Sequence, residues 1–438
     1  MKSIVRLSVD VMGGDHGPAV TMPACRAFLQ SHPAAELVLV GRPETLAEAA
    51  GWPRTRCVAA QDVVDMHDSI EVALRKKRDS SMRVAIEQLR GEGTADACVS
   101  SGNTGALMAL AGDARVVLST AGPFALHGSL LVAACVAQRT HYVDITGETP
   151  WVRGLIDRHH TQAARDGTRI IPCAGFDSVP SDLGAWLLVQ ALRQAGQTCV
   201  QAKASYTVRG GFNGGTLASA LNMLDTGQAA LLADPYLLNP ADARPAAASA
   251  DDADPDAPQR DADFGAWLGP FFMGPVNTRV VRRSAALLGY GSGFHYQEYL
   301  RFGSGAAAAL AAAGMSFGMN ASQSALKLAP VRRLARAMAP APGQGPSERS
   351  MDAGSFRCEL VGRGDRSALV RARIAARGDP GNRATTVMVC EAALALAQDG
   401  AQLPGGRRLG GVLTPASGLG DALVQRLRRA GMTLEILQ

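Results

Sequence analysis

Residues 115–184 constrain what this chain can become more than any other stretch. Three short apolar runs stand there, each ending in a polar or glycine-rich loop. Arg115-Val-Val-Leu-Ser119 leads into Thr120-Ala-Gly-Pro-Phe124, His141-Tyr-Val-Asp-Ile145 into Thr146-Gly-Glu148, and Arg169-Ile-Ile-Pro-Cys173 into Gly175-Phe-Asp-Ser-Val-Pro180. Helical patterns separate them, from Gly128 to Gln138 and from Trp151 to Arg165. Continuous apolar strands alternating with helices predict a parallel sheet covered on both faces. In such sheets ligands lie beyond the carboxyl ends of the strands, where these three loops gather.

The same alternation precedes this stretch. Strands are expected at Ile4–Val11, Glu36–Gly41 and Ala97–Ser100. The first runs into Met12-Gly-Gly-Asp-His-Gly-Pro18, where Gly13 and Gly14 allow a tight turn and Pro18 suits the first position of a helix. A strand, a glycine turn and a helix start can receive an anion on free backbone N–H groups. A tight turn alone explains the same residues. After Gly196 the pattern changes: Thr198–Val208 alternates as in an antiparallel sheet, Phe356–Ala376 reads as a hairpin, and Arg383–Ala397 as a long helix. The fold class expected is α/β, with Rossmann-like parallel layers over residues 1–195 followed by an α+β domain with an antiparallel sheet. Pro240–Asp263, rich in Ala, Asp and Pro, reads as a solvated, flexible and removable loop.

Bulk properties exclude more than they select. Apolar residues make up 47% and charged residues 19% of 438, the balance of an ordinary globular chain. A formal charge of +5 without a dense basic patch argues against nucleic acid. No stretch is suited to span a bilayer, and the first ten residues lack a signal-peptide core. The eight cysteines form no C-x-x-C pair, so a reducing cytoplasm and no metal site are expected.

Two resemblances overlie this reading. Residues from about 113 to 438 resemble the saccharopine-dehydrogenase-like oxidoreductases, in particular the trans-acting enoyl reductases. The phrases that carry the likeness are VVLSTAGPFALHG, THYVDITGE, CAGFDSVPSDLG, GGTLAS, MGPVNTRVVRRSAALL, GDPGNRATTVMVCEAALALA and GGVLTPASGLGDALVQRL. The resemblance implies NAD(P) as cofactor, with Gly122, Pro123, Phe124, Gly128, Asp144, Gly147, Phe176 and Asp177 along it; it identifies no catalytic residue. The glycine-rich loop that opens such a dehydrogenase is missing ahead of Arg115, so cofactor binding is expected to be weak. Gly102-Asn-Thr-Gly105 follows a strand, but the third glycine and the ribose-reading acid are absent, and coincidence is the better reading.

Residues 1 to about 110 resemble instead the front part of the phosphate acyltransferases of phospholipid synthesis, through VDVMGGDHGP, ALRKKRDSSMRVAIEQL and ADACVSSGNTGALMAL. That likeness implies an acyl or other small-molecule substrate and an acyl carrier protein as partner. Its substrate side would comprise Asp10, Gly13, Gly14, Asp15, Lys77, Ser80, Ser81, Arg83, Asn103 and Thr104. Three parts are therefore expected: an acyltransferase-like fragment over 1–111, the second half of a Rossmann-like domain over 112–196, and an α+β substrate or oligomerisation domain over 197–438, with a homodimer left open. Three functions stay open as well: an impaired oxidoreductase, an acyl-phosphate-forming transferase, or a composite chain with no complete active site.

Overall fold

The computed structural model of the chain describes residues 5–14, 17–65, 68, 72–90, 95–100, 102, 112, 114–211, 214–245, 249–291, 293–338 and 345–437. Two compact units share it, one of residues 1–117 with 127–140, the other of 118–126 with 141–438.

The first unit is built on a four-stranded sheet of β1 (Val5–Asp10), β2 (Ala35–Gly41), β3 (Thr55–Ala59) and β4 (Ala97–Val99) in the order β3-β2-β1-β4. All three pairings are parallel. β2 is almost wholly buried, as its unbroken Leu-Val-Leu-Val run requires. The helix Pro18–Ser31 starts on Pro18 as expected and buries Met22, Cys25 and Leu29 against Val9, Val11 and Leu39. Ser80 takes the cap position of the helix Ser81–Glu87, but its side chain makes no capping bond.

The second unit holds two sheets. The smaller runs β14-β7-β6-β5, from β5 (Val116–Ser119), β6 (His141–Asp144), β7 (Arg169–Ile171) and β14 (Gly411–Val412). The boundary between the units falls within β5. β6, β7 and β14 run parallel, and His141 accepts a bond on Nδ1 from the Arg169 amide. Arg169 is buried, and its guanidinium donates to the carbonyls of Pro404, Gly406 and Gly418. The larger sheet contains β8 (Cys199–Arg209), β9 (Gln259–Asp261), β10 (Ala266–Pro270), β11 (His295–Gly303), β12 (Ser355–Gly364), β13 (Leu369–Arg377) and β15 (Thr433–Leu437), ordered β15-β13-β12-β8-β11-β10-β9. It is antiparallel apart from the β8–β11 pair, which is parallel. Helix Val179–Gln194 packs on it, with Gly184 close against Leu360. Parallel layers followed by an α+β portion are the class expected. The expected strands fall into two separate sheets, with β4 in one and β5 in the other.

The Pro240–Asp263 segment is exposed over most of its described residues, Asp242, Asp251 and Asp256 among them, but four of its acids are engaged: Asp254 receives Arg279 and Thr278, Asp252 is buried beside His295, and Asp261 and Asp263 hold Lys203 at 2.6 Å each. One reading needs correcting: in the sequence Arg279, Arg282 and Arg283 suggest a face for an acidic substrate or a partner surface, but they face no solvent. They are buried and donate to backbone carbonyls of Leu232, Pro235 and Leu238.

Candidate functional site

The loops at the carboxyl ends of β5, β6 and β7 are knit together by two buried carboxylates. Glu148 ends the loop after β6. Its Oε1 accepts from the Phe124 amide at 2.7 Å and from Ser219 Oγ at 2.8 Å, and its Oε2 accepts from the Ala125 amide at 3.0 Å. Sequence position suggests that Glu148 caps the helix that follows it, but its carboxylate caps the first turn of the preceding helix, Phe124–Gln138. The free N–H groups and positive dipole end of that turn make this the better electrostatic partner. Asp144, at the end of β6, accepts from the Thr146 amide at 2.9 Å and the Cys173 amide at 3.2 Å, bracing the β6 loop to the β7 loop. It is fully buried, and burial pushes its carboxyl up to about 7.

Glu148→Ala strands three donors that the carboxylate now satisfies, so it is expected to cost about 2–4 kcal/mol. Urea unfolding measures this; a change below about 0.5 kcal/mol would mean the contacts are replaceable by water.

The remaining residues that the resemblance sets along a cofactor are placed as follows. Gly122 and Pro123 share a cis peptide bond in the loop after β5, and Phe124 is buried against Trp151. Gly128 lies inside the helix Phe124–Gln138 and falls in the first unit. Phe176 is an anchor: its amide donates to Thr385 Oγ1, and its ring meets Phe356 edge-on at 4.9 Å. Gly175 sits where a Cβ would come within 3.1 Å of Thr385 Cγ2 and 3.2 Å of Ile145 Cγ2, so a larger residue would push these side chains aside by a few tenths of an ångström.

Asp177 is different in kind. It is half-buried, and its carboxyl takes no hydrogen bond from any described residue. A Cβ built on Gly147 would stand 3.6 Å from its Oδ2 and 3.7 Å from Met273 Cε. Burial alone raises Asp177 to about 7. A carboxylic acid kept neutral close to pH 7 at the mouth of strand-end loops is suited to give up a proton.

Behind it runs a polar network that short-range patterns did not reveal. Ser178 Oγ donates to Asn277 Oδ1 at 3.2 Å, and Asn277 Nδ2 donates to Glu298 Oε1 at 2.7 Å. Glu298 Oε2 accepts from Ser181 Oγ at 2.7 Å and Tyr296 OH at 3.0 Å, and Ser181 also meets Tyr206 OH at 2.6 Å. All these residues are buried, and burial lifts Glu298 to about 8. In sequence either Ser178 or Ser181 can cap the helix Val179–Gln194; Ser178 takes the cap position without a side-chain capping bond, and both hydroxyls serve this network.

The first unit has a corner of its own. Asp10, at the end of β1, is buried and accepts from the Met12 amide at 3.2 Å and from Ser100 Oγ at 2.7 Å, while the Gly102 amide donates to Ser100 Oγ at 3.1 Å. A Cβ on Gly13 would lie 2.8 Å from Asp10 Oδ2. Ser81 joins Asp10 from the neighbouring helix, and burial raises the Asp10 carboxyl despite these bonds. Gly14 turns the chain with a positive φ. Lys77 is spent on Val63 O at 2.7 Å and Asp68 at 2.6 Å, and Arg83 pairs with Glu87 four residues on. Lys77 is therefore no free cation. Ser80 is buried, and Asp15, Asn103 and Thr104 lie outside the described residues.

Comparison with known proteins finds both likenesses. A family model described as fatty acid synthesis protein matches residues 5–118. A trans-acting enoyl reductase of Mycobacterium ulcerans is 36% identical over 348 residues, covering 73% of this chain and 80% of that protein. The Mycobacterium bovis protein of the same name is 37% identical over 352 residues, covering 75% and 81%. The chain belongs to the trans-acting enoyl reductase family. A Mycobacterium tuberculosis protein bearing that name in provisional form is 39% identical over 387 residues, with 82% of this chain and 89% of its own length covered. That share is too large to fit after residue 118, so this match reaches back into the stretch covered by the fatty acid synthesis model. Among solved structures, apo saccharopine dehydrogenase (L-Glu forming) from Saccharomyces cerevisiae is 11% identical over 99% of both chains, with a TM-score of 0.42. A meso-dapdh mutant from Clostridium tetani is 9% identical, with a TM-score of 0.38 over 97% of this chain and 99% of its own. The fold rests on the sheet topology above and not on these scores.

Among the described residues no group of three or more His, Cys, Asp or Glu side chains is placed to hold a metal ion. No helix among them is long and apolar enough to cross a membrane. The eight cysteines are free thiols.

Proposed function

We propose that this chain is a nicotinamide-dependent oxidoreductase that reduces a polarised carbon–carbon double bond, with Asp177 as proton donor and with weakened cofactor binding. The names of its relatives support the reaction class, and the unpartnered Asp177 carboxyl at the strand-end loops supports the residue. NAD(P)H would supply the hydride when bound, leaving as NAD(P)+. In the reaction proposed, hydride adds to the β-carbon of an unsaturated acyl group, the π electrons move to the α-carbon, and Asp177 delivers its proton there. Water then restores the Asp177 proton. Phe176, pinned by Thr385 and Phe356, and Glu148, tied to Phe124 and Ala125, hold the loops in place for that transfer.

The residues fit the two ends of such a cofactor unequally. At the nicotinamide end, Gly122, Pro123, Gly147 and Gly175 keep the strand-end loops of the second unit low and small. The pyrophosphate end needs free backbone N–H groups at a strand-to-helix turn. At the β1 turn the Met12 amide is already taken by Asp10, and the helix that follows opens on Pro18, which has no N–H. This supports the loss of the phosphate loop and an impaired enzyme. The chain then divides into an acyltransferase-like fragment over 1–111, a second Rossmann-like half over 112–196 and an α+β portion over 197–438, acting in the cytoplasm.

A second reading draws on Asp10, Ser81, Ser100 and Gly102. They meet where the strand order β3-β2-β1-β4 reverses, the place where open parallel sheets take ligands. It favours acyl-phosphate chemistry with an acyl carrier protein as partner. The engagement of Lys77 and Arg83 weighs against it.

The redox reading is tested by Asp177→Asn, measured as NADPH-dependent reduction of an α,β-unsaturated acyl thioester in a chain whose front half is replaced by a complete Rossmann half. Loss of a general acid is expected to lower kcat by roughly 10²–10⁴ with KM little changed. The parent should hold its rate below about pH 7 and lose it above, as Asp177 ionises. An unchanged kcat in Asp177→Asn would remove Asp177 from the reaction.

A further inference from the structure

The open face of the seven-stranded sheet ends in a cleft of about 700 Å³ that none of the chemistry above uses. Three arginines line it: Arg209 from β8, Arg357 from β12 and Arg377 from β13. Their positions follow from the register. Ser355 pairs with Arg209 on one side and Arg377 on the other, and Arg357 pairs with Thr207 and Ala375. Alternation places all six residues on one face. Strands about 4.8 Å apart put the backbones of Arg209 and Arg377 roughly 10 Å apart, with Arg357 about 7 Å along the strand between them.

Like charges set so closely across neighbouring strands repel one another, and ordinarily a carboxylate sits among them. Here the nearby carboxylates are committed elsewhere. Glu359 receives Arg301 and lies 3.9 Å from both Arg357 and Arg373. Glu435 pairs with Arg373, and Glu348 and Asp352 pair with Arg383. Asp379 caps the turn at Pro380 through the Arg383 amide. Arg209 and Arg377 form no hydrogen bond or ion pair with any described residue, and Arg357 has only the distant Glu359.

Beside the arginines the cleft carries the hydroxyls of Thr207, Ser355 and Thr433, and the partly exposed Val387 gives it an apolar side. A guanidinium cluster over hydroxyls matches the oxygens of a phosphate, and the apolar side matches an organic body attached to it. We propose that this cleft binds a small phosphate ester, with the phosphate held by Arg209, Arg357 and Arg377 and the organic part resting on Val387. The proposal does not depend on the redox reading.

Calorimetric titration of the full chain with phenyl phosphate and, separately, inorganic phosphate tests this. Phenyl phosphate should bind more tightly than inorganic phosphate, and both should weaken as salt is raised. Arg209→Gln with Arg377→Gln removes two charge-assisted contacts and should weaken phenyl phosphate by about tenfold or more. Both side chains are exposed, so the double variant should fold, which its unfolding midpoint checks. Val387→Asp should weaken phenyl phosphate while leaving a measurable response to inorganic phosphate. Absence of binding by the unaltered chain, or binding that the double arginine variant leaves unchanged, would overturn the proposal. Salt-dependent self-association of the chain, abolished by the same double substitution, would show instead that a second copy occupies the cleft.

Discussion

Raising the pH from 5 to 8 is expected to lower the stability of the folded chain by several kcal/mol, an unusual direction for a protein with so many ion pairs. Four carboxyls cause it, and they outweigh His141, which burial holds at about 4 and whose contribution rises with pH up to about 6.5. Burial raises Asp144, Asp177 and Asp182 to about 7 and Glu298 to about 8. In the unfolded chain they ionise near their ordinary values, close to pH 4. Between those limits the folded state holds protons that the unfolded state has released. Their stabilising contribution is therefore complete below about pH 4, falls as pH rises, and is lost above about pH 8. The loss between pH 5 and pH 8 is roughly 3 kcal/mol for each Asp and roughly 4 kcal/mol for Glu298, as upper bounds. Asp182 matters for the whole second unit, since it accepts from Ser284 and from the Ala416 amide at 2.7 Å and so joins helices Val179–Gln194, Gly274–Leu288 and Pro415–Arg429. Urea midpoints at successive pH values measure the slope. Glu298→Gln should flatten the slope by about one proton. Stability that rises from pH 5 to pH 8 would show that these carboxyls are ionised in the folded chain.

What the sequence made legible was whatever depends on near neighbours. Pro18 starts its helix where it was expected to, and the alternation at 198–208 and 356–376 becomes β8 and the β12–β13 hairpin. The three strand ends of residues 115–184 do lead into the loops that Glu148 and Asp144 hold together. The misreadings share a cause. Arg279, Arg282 and Arg283 suggest a face for an acidic substrate or a partner, because the carbonyls that receive them lie some 45 residues upstream. The pairing of Asp254 with Arg279 and of Asp261 with Lys203 is hidden for the same reason. Glu298 carried no local sign at all: its partners Ser181, Asn277 and Tyr296 come together only when β11 and two helices pack. Asp177 was visible as part of a motif, but its lack of a partner is a property of the folded loop alone.

The second large effect concerns the cofactor, and it tests the account most directly. Dinucleotide affinity depends on backbone N–H groups directed at the pyrophosphate, and the β1 turn has its Met12 amide engaged by Asp10 and a proline at the start of its helix. In the function proposed, the second unit retains the loops assigned to the nicotinamide end and Asp177, which alone should bind poorly. Losing several charge-assisted contacts corresponds to a weakening on the order of 10³-fold. The decisive measurement is calorimetric titration of NADPH and NADH into the unaltered chain, beside a chain in which residues 1–112 are replaced by a complete Rossmann front half with its glycine-rich loop. The account predicts little or no binding by the unaltered chain and recovery in the replacement. Micromolar binding by the unaltered chain, abolished by Gly13→Val or Gly102→Val, would contradict it and show that the acyltransferase-like turn cradles the cofactor phosphates.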